Sequence, residues 1–153
     1  MTDRRAFLMA LGAAFALPSI TQASAGIVTP HQAHDAVTDG SMILVDIRTP
    51  AEWEATGVAK GAWLLDMTHD QFGPRLLAVL DRNPDHKVAI ICRTGNRSGY
   101  LMGVLAKNGI TGVYDVSAGM AGGPNGMGWI PAGLPVVDAV QAYDAMPGDL
   151  RAG

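Results

Sequence analysis

Cysteine is almost absent from this chain, since Cys92 is the only one among 153 residues. A single cysteine excludes an intrachain disulfide, so the fold does not depend on an oxidising compartment. Positive charge is also scarce, with 11 lysines and arginines against 14 acidic residues and a formal net charge of −3. Because nucleic-acid-binding domains normally show a basic face or stripe, this balance argues against a nucleic-acid partner.

Metal-ligating side chains are sparse as well. Of the four histidines, His31 and His34 have the i, i+3 spacing of one helix face, and no third ligand lies near them in the sequence. A closed zinc site needs four ligands, so a solvent-exposed helix face is the better interpretation of this pair. We therefore predict no metal site.

Long apolar runs are missing too, and the longest N-terminal stretch covers only residues 6–17. This is well short of the roughly 20 residues that span a bilayer as a helix. The stretch follows the pair Arg4-Arg5 and precedes Ala-Ser-Ala at residues 23–25, which resembles a twin-arginine export signal. The resemblance predicts a signal peptide over residues 1–25, cleavage before Gly26 and a periplasmic domain without stable membrane insertion. An uncleaved signal would instead tether the domain to the membrane.

Removing residues 1–25 would leave 128 residues, enough for one compact domain. Continuous apolar stretches at residues 42–45, 62–65, 88–91 and 113–116 predict buried strands. Helical patterns fill the gaps at residues 29–39, 72–80 and 98–108, and Thr29-Pro30 is a favourable helix start. The alternation predicts an α/β fold with a central parallel sheet and helices on both faces. Ligands of such sheets bind at the carboxyl ends of the strands.

The lone cysteine stands at one of those strand ends. It opens a polar, glycine-bearing loop that leads into the next helix: Cys92-Arg93-Thr94-Gly95-Asn96-Arg97-Ser98. Unpaired N–H groups and the positive helix end meet there, and two arginines add fixed positive charge. These features favour the thiolate, which is the nucleophilic form of cysteine. We therefore interpret Cys92 as a catalytic nucleophile rather than a small buried apolar residue.

The loop resembles the active-site loop of the rhodanese family of sulfurtransferases, in the form Cys-Arg-x-Gly-x-Arg-Ser. Residues 46–53 and 57–62 resemble two further family segments, although Val58 and Lys60 stand where the family often has His and Pro. Residues 119–136 resemble its closing Gly-x-x-x-Trp…Gly-Leu-Pro-Val element. The resemblance implies a three-layer rhodanese-like domain at residues 26–137. We expect residues 138–153 to form a loosely attached polar tail.

The resemblance also implies a sulfurtransferase that works through a Cys92 persulfide. Cys92 would take the outer sulfur of thiosulfate, or of a polysulfide or persulfide donor, and pass it to a thiol, a sulfur-carrier protein or cyanide. Arg93 would bind the anionic donor, and Arg97 and the loop N–H groups would stabilise the thiolate and the persulfide. Gly95 lets the loop amides turn inward, and Ser98 can cap the helix or bond the sulfur. No metal or organic cofactor is required.

Three charged residues before the loop are interpreted as supporting scaffold. Arg48 and Glu52 are four apart and could pair on a helical turn. Asp46, at a strand end, is the residue most expected to contact the active-site loop. The glycine-rich segment Gly122–Gly128 is expected to be a flexible surface loop, and its role stays open.

Two other functions remain possible from the sequence. A cysteine-dependent phosphatase or arsenate reductase has five residues between the cysteine and the arginine of its loop, whereas only four separate Cys92 from Arg97. A His often precedes the phosphatase cysteine, and here that residue is Ile91. The second alternative is a non-catalytic rhodanese-like module that binds a partner or senses redox state. Such modules commonly lack the cysteine or the intact loop, and this chain keeps both.

Overall fold

The computed structural model describes residues 26–151, so the predicted signal peptide lies outside the described residues and stays a prediction. Strands and helices alternate along the described chain. The helices are α1 (Pro30–Thr38), α2 (Pro50–Thr56), α3 (Phe72–Arg82), α4 (Asn96–Lys107) and α5 (Ala139–Ala145), with a 3-10 turn at Gly148–Leu150. The strands are β1 (Met42–Asp46), β2 (Val58–Ala59), β3 (Trp63–Leu64), β4 (Lys87–Ile91), β5 (Val113–Asp115) and β6 (Val136–Val137).

Four of the strands form one parallel sheet in the order β3-β1-β4-β5. The inner pair is in register from Met42 opposite Lys87 to Asp46 opposite Ile91. All five residues of β1 are buried, as expected of a strand covered on both faces. The short strands β2 and β6 pair antiparallel beside this sheet. The fold is therefore the predicted α/β arrangement with a central parallel sheet.

Each face of the sheet has its own apolar core. Alternate residues of β1 point to opposite sides, so Val45 packs with Leu76 and Leu101 while Leu44 packs with Ala33 on the other face. The layers above and below the sheet are formed by α3, α4 and α5 on one side and α1 on the other. This confirms the predicted three layers. Within residues 26–151, no helix is both long enough and apolar enough to cross a membrane.

The first described helix begins as its sequence predicts. Thr29 is the N-cap, its hydroxyl accepts the Gln32 N–H at 3.1 Å, and the Gln32 side chain accepts the Thr29 N–H in return. This reciprocal capping box, with Pro30 at the first helical position, fixes the helix start. On this helix His31 is exposed, while His34 is half-buried and meets the Trp129 ring edge-on at 5.7 Å between centroids.

The expectation of a loosely attached tail after residue 137 is wrong. Asp138 caps α5 by accepting the Gln141 N–H at 2.8 Å, and the segment packs onto the core. Ala142, Met146 and Leu150 are spaced four apart and are 4%, 2% and 3% exposed. One buried apolar residue in every four holds the segment against the core, but this spacing is too sparse to mark the segment as buried from sequence alone.

Candidate active site

Cys92 directly follows β4, an inner strand of the sheet, and therefore lies at the carboxyl edge between β1 and β5. The chain turns at Gly95, the N-cap of α4, which has a left-handed backbone conformation with φ 97°. The helix starts at Asn96, two residues before the predicted start at Ser98. The predicted catalytic cysteine thus stands between a strand end and a helix start, as the sequence indicates.

The Cys92 sulfur is surrounded by hydrogen-bond groups of its own loop. Its Sγ accepts the Gly95 N–H at 3.1 Å and the Ser98 N–H at 3.4 Å. The Ser98 hydroxyl oxygen lies 3.5 Å from Sγ, and both side chains are buried. N–H groups that point at one sulfur stabilise negative charge on it. The geometry therefore suits a thiolate or an anionic persulfide at Cys92.

Glycine is required at the turn of this loop. A side chain at Gly95 would collide with the Ser117 carbonyl oxygen and would come within 2.8 Å of the Asn125 amide nitrogen. Gly119, with φ 70°, lies in the segment that follows β5, and a side chain there would collide with the Arg93 carbonyl. Only a hydrogen atom fits at these two positions, and this lets the Cys92 loop pack closely against the segment that follows β5.

The glycine-rich segment Gly122–Gly128 borders this loop. Gly123 and Gly126 close a tight turn through two mutual backbone hydrogen bonds of 3.0 and 3.1 Å. Gly123 lies against the half-buried Thr94, and the Asn125 amide donates to the Ser117 carbonyl at 3.2 Å. The segment, whose position the sequence leaves open, therefore packs beside the active-site loop.

Arg97 forms a two-pronged ion pair with Glu52 of α2. Its Nη1 and Nη2 donate to the two carboxylate oxygens at 2.8 and 2.7 Å. The hydrogen bond from Arg97 is the main cause that lowers the pKa of Glu52 to about 2, and the same pairing raises the pKa of Arg97. Glu52 also accepts the Thr49 N–H at 3.0 Å and thereby caps α2. One carboxylate thus joins a helix start to the active-site loop.

The predicted pairing of Arg48 with Glu52 is wrong. Arg48 pairs with Asp46, at 2.8 Å between Nη2 and Oδ2, and both are fully buried. Glu52 instead bonds Arg97 of the active-site loop, and Asp46 interacts with Arg97 electrostatically. The reason is that α2 has its N-cap at Thr49, so Arg48 lies before the helix and is not one helical turn from Glu52. The Asp46–Arg48 pair instead braces the end of β1, with further bonds to Thr56 and the Gly57 carbonyl.

Arg93 and Asn96 are exposed at the surface of the loop. Arg93 lines a cavity of about 280 Å³ beside the loop, together with Glu52. Met120 and Ile130 give the cavity an apolar wall. Arg93 thus brings positive charge to a cavity next to the active-site loop, and a guanidinium is well suited to bind an anionic molecule.

One buried acid near the loop escapes the sequence reasoning. Asp115 ends β5, is 6% exposed, and its Oδ1 has no hydrogen-bond partner. The signal for Asp115 is that it is the single charged residue inside an otherwise apolar strand pattern.

Among residues 26–151, no cluster of three or more His, Cys, Asp or Glu side chains is placed to hold a metal ion.

Replacing Glu52 by Gln is expected to lower the free energy of unfolding by about 1 kcal/mol at neutral pH, because the pair is part-exposed. A carboxyl group whose pKa is lower in the folded protein than in the unfolded chain stabilises the fold at pH values above its unfolded pKa. This stabilisation is lost as the pH falls to the pKa of the folded state. The difference in unfolding free energy between wild type and Glu52→Gln should therefore shrink between about pH 4.5 and about pH 2. Urea unfolding measures this, with Glu54→Gln on the same helix as control. A difference that stays constant over this range would contradict the ion-pair assignment.

Comparison with known proteins identifies the family. The rhodanese-like domain family matches residues 29–123. The solved structure of Rv0390 from M. tuberculosis is 30% identical, with a TM-score of 0.57 over 74% of this chain and 98% of that one. A rhodanese-related protein from Thermoplasma volcanium is 25% identical, with a TM-score of 0.53 over 72% and 95%. The uncharacterized protein RP600 of Rickettsia prowazekii is 27% identical over 105 residues, which are 65% of this chain and 85% of RP600.

The family match covers well over half of the chain and includes the Cys92 loop. It agrees with the resemblance found in the sequence and with the three-layer fold. A sulfurtransferase-type or related function is thereby supported. The chain belongs to the rhodanese-like domain family.

Proposed function

We propose that this protein is a sulfurtransferase that takes a sulfane sulfur from thiosulfate as a Cys92 persulfide. The observation that supports this most directly is the set of N–H groups that surround the Cys92 sulfur at the start of α4. They suit an anionic sulfur that alternates between thiolate and persulfide. A merely structural buried thiol does not need such donors.

The first half-reaction follows from this geometry. The Cys92 thiolate attacks the outer sulfur of thiosulfate, a new S–S bond forms, and the original S–S bond breaks. Sulfite leaves with the electron pair of the broken bond. Attack of one anion on another is opposed unless positive charge is near, and Arg93 at the cavity supplies it. Arg97 adds a second positive charge close to Cys92, although its guanidinium is already paired with Glu52.

The second half-reaction passes the sulfur to an acceptor. A thiolate, on a small molecule or a sulfur-carrier protein, attacks the outer sulfur of the persulfide and restores the Cys92 thiolate. Cyanide performs the same attack and yields thiocyanate. The proposal needs no metal or organic cofactor, because the persulfide is the carried group.

We also propose that the twin-arginine-like segment exports the domain to the periplasm, on the strength of its sequence pattern.

Turnover of thiosulfate and cyanide to thiocyanate tests the proposal, with Arg93→Ala as the informative variant. Loss of one charge-assisted contact to the donor should lower kcat/KM for thiosulfate by about tenfold to a hundredfold. Lys107→Ala, which removes an exposed charge at the far end of α4, is the matched control and should match wild type. Absence of thiocyanate with the wild-type chain would refute the proposal, and equal rates for the two variants would refute the role of Arg93.

A further inference from the structure

The Gly122–Gly128 segment is a closed turn that the sulfur-transfer steps above do not use. Its two end glycines lie so close together that a side chain on either would collide with the backbone of the other. Between them, two mutual backbone hydrogen bonds join Gly123 and Gly126 and enclose only Pro124 and Asn125. The turn therefore presents two side chains at its tip, and the Asn125 side chain is the polar one.

Backbone hydrogen bonds attach this turn to the catalytic loop. Just before the turn, the Met120 N–H donates to the Cys92 carbonyl at 2.9 Å. The Ala121 N–H donates to the Arg93 carbonyl at 2.8 Å. After the turn, the Ile130 N–H donates to the Met120 carbonyl at 3.0 Å. Both ends of the turn are thus fixed relative to the cysteine, which gives the side chains at its tip a defined position against the loop.

The Asn125 side chain lies against Gly95. Its Nδ2 donates to the Ser117 carbonyl at 3.2 Å. This nitrogen and this carbonyl oxygen fill the space that a side chain at Gly95 would need, since such a side chain would come within 2.8 Å of Nδ2. Gly95 in turn donates its N–H to the Cys92 sulfur at 3.1 Å. One residue thus separates the Asn125 amide from the reacting sulfur.

Gly95 depends on its neighbours for its conformation. A glycine with φ 97° has no side chain that could restrict its backbone, and as the N-cap of α4 it makes no side-chain capping bond. Its carbonyl accepts the Ser98 hydroxyl at 3.3 Å. The Ser117 carbonyl and the Asn125 amide pack where its side chain would be. Without the amide, the Gly95 N–H is free to turn away from the sulfur.

We propose that Asn125 is a positioning residue that keeps the Gly95 N–H directed at the Cys92 sulfur. It holds the Ser117 carbonyl and its own amide against Gly95, so that the glycine does not rotate its N–H away. A directed N–H stabilises negative charge on sulfur, both on the thiolate before attack and on the persulfide afterwards. This role rests on the proposed function, because that function makes the anionic sulfur the reacting atom.

The charged side chains that surround the Cys92 loop lie on other segments than this turn. They are Arg93 of the loop, Arg97 of α4, Glu52 of α2, the Asp46–Arg48 pair at the end of β1, and Asp115 at the end of β5. Residues 122–128 include no charged side chain. A change in Cys92 reactivity on replacing Asn125 by a neutral residue therefore reports a lost contact and not a lost charge.

The rate of alkylation of Cys92 by iodoacetamide, measured in the full chain from about pH 5 to about pH 10, tests this role. The midpoint of the pH profile reports thiolate formation, and the plateau at high pH reports access to the sulfur. Asn125→Ala should raise the midpoint by about 0.5 to 1 pH unit and keep the plateau. The rate below the midpoint should therefore fall by about threefold to tenfold. Asn125→Asp has the same shape but donates no hydrogen bond and adds a negative charge, so its midpoint should move further.

Asn108→Ala is the matched control. Asn108 is also exposed, and its Nδ2 donates to the Val104 carbonyl at 2.8 Å near the far end of α4. This variant loses the same kind of hydrogen bond, so its melting temperature should fall about as much as that of Asn125→Ala. Its alkylation profile should match wild type.

Four results would overturn the inference. An unchanged midpoint in Asn125→Ala, whether or not the melting temperature falls, would leave Asn125 no more than a structural role. A higher plateau without a shifted midpoint would show that Asn125 only shields the sulfur. A shift in Asn125→Asp but not in Asn125→Ala would show only the effect of the added charge, and an equal shift in Asn108→Ala would show a general effect of lower stability. Alkylation involves no sulfur donor, so its outcome is separate from whether thiosulfate loads sulfur onto Cys92.

Discussion

Cys92→Ser is expected to abolish the conversion of thiosulfate and cyanide to thiocyanate, lowering the rate by about a thousandfold or more. The serine oxygen can accept the Gly95 and Ser98 N–H groups in place of sulfur, but it cannot hold a sulfane sulfur. The loop would thus keep its geometry but lose the sulfur atom that carries the transferred sulfur. Steady-state thiocyanate formation measures the loss.

The control for this variant is its stability. Serine is close to cysteine in size and the position is 1% exposed, so unfolding in urea should differ from wild type by only about 1 to 2 kcal/mol. A fully folded Cys92→Ser protein without turnover would support the assignment of Cys92 as the nucleophile. Turnover that survives the substitution would show that another residue transfers the sulfur.

Gly95→Ala is expected to remove sulfur transfer while leaving the cysteine in place. Gly95 has φ 97°, and a side chain there meets the Ser117 carbonyl and the Asn125 amide. The loop must then shift, which withdraws the Gly95 N–H from its 3.1 Å bond to the Cys92 sulfur. We expect turnover to fall at least about a hundredfold. The free energy of unfolding should drop by about 3 kcal/mol.

Gly103→Ala is the matched control, because it lies inside α4 with open space around it. Alanine in a helix interior is favoured over glycine by up to about 1 kcal/mol, so this variant should be slightly more stable and fully active. If Gly95→Ala behaves like Gly103→Ala in both stability and turnover, the close packing around the loop does not hold the site.

Much of the fold could be predicted because it is encoded locally. Continuous apolar stretches in the sequence mark β1 and β4. The start of α1 at Thr29-Pro30 depends only on neighbouring residues. The position of Cys92 at the sheet edge follows from the strand that precedes it. These features need no information from distant parts of the chain.

The contacts that complete the site are not local. Glu52 and Arg97 are 45 residues apart, and only the packing of α2 beside the Cys92 loop brings them together. Asp115 is close to Cys92 through strand pairing, which a single sequence does not specify. The helix α5 has a single buried residue, Ala142, so its attachment depends on a surface that the rest of the core provides.

The most direct test of the account is the intact mass of the reduced protein before and after thiosulfate. We expect a gain of one sulfur atom, its loss on addition of cyanide, and no gain with Cys92→Ser. Alkylation of a parallel sample by iodoacetamide shows that the thiol is reachable. A protein that is alkylated at Cys92 yet gains no sulfur from thiosulfate would contradict the central claim that Cys92 carries sulfur from this donor.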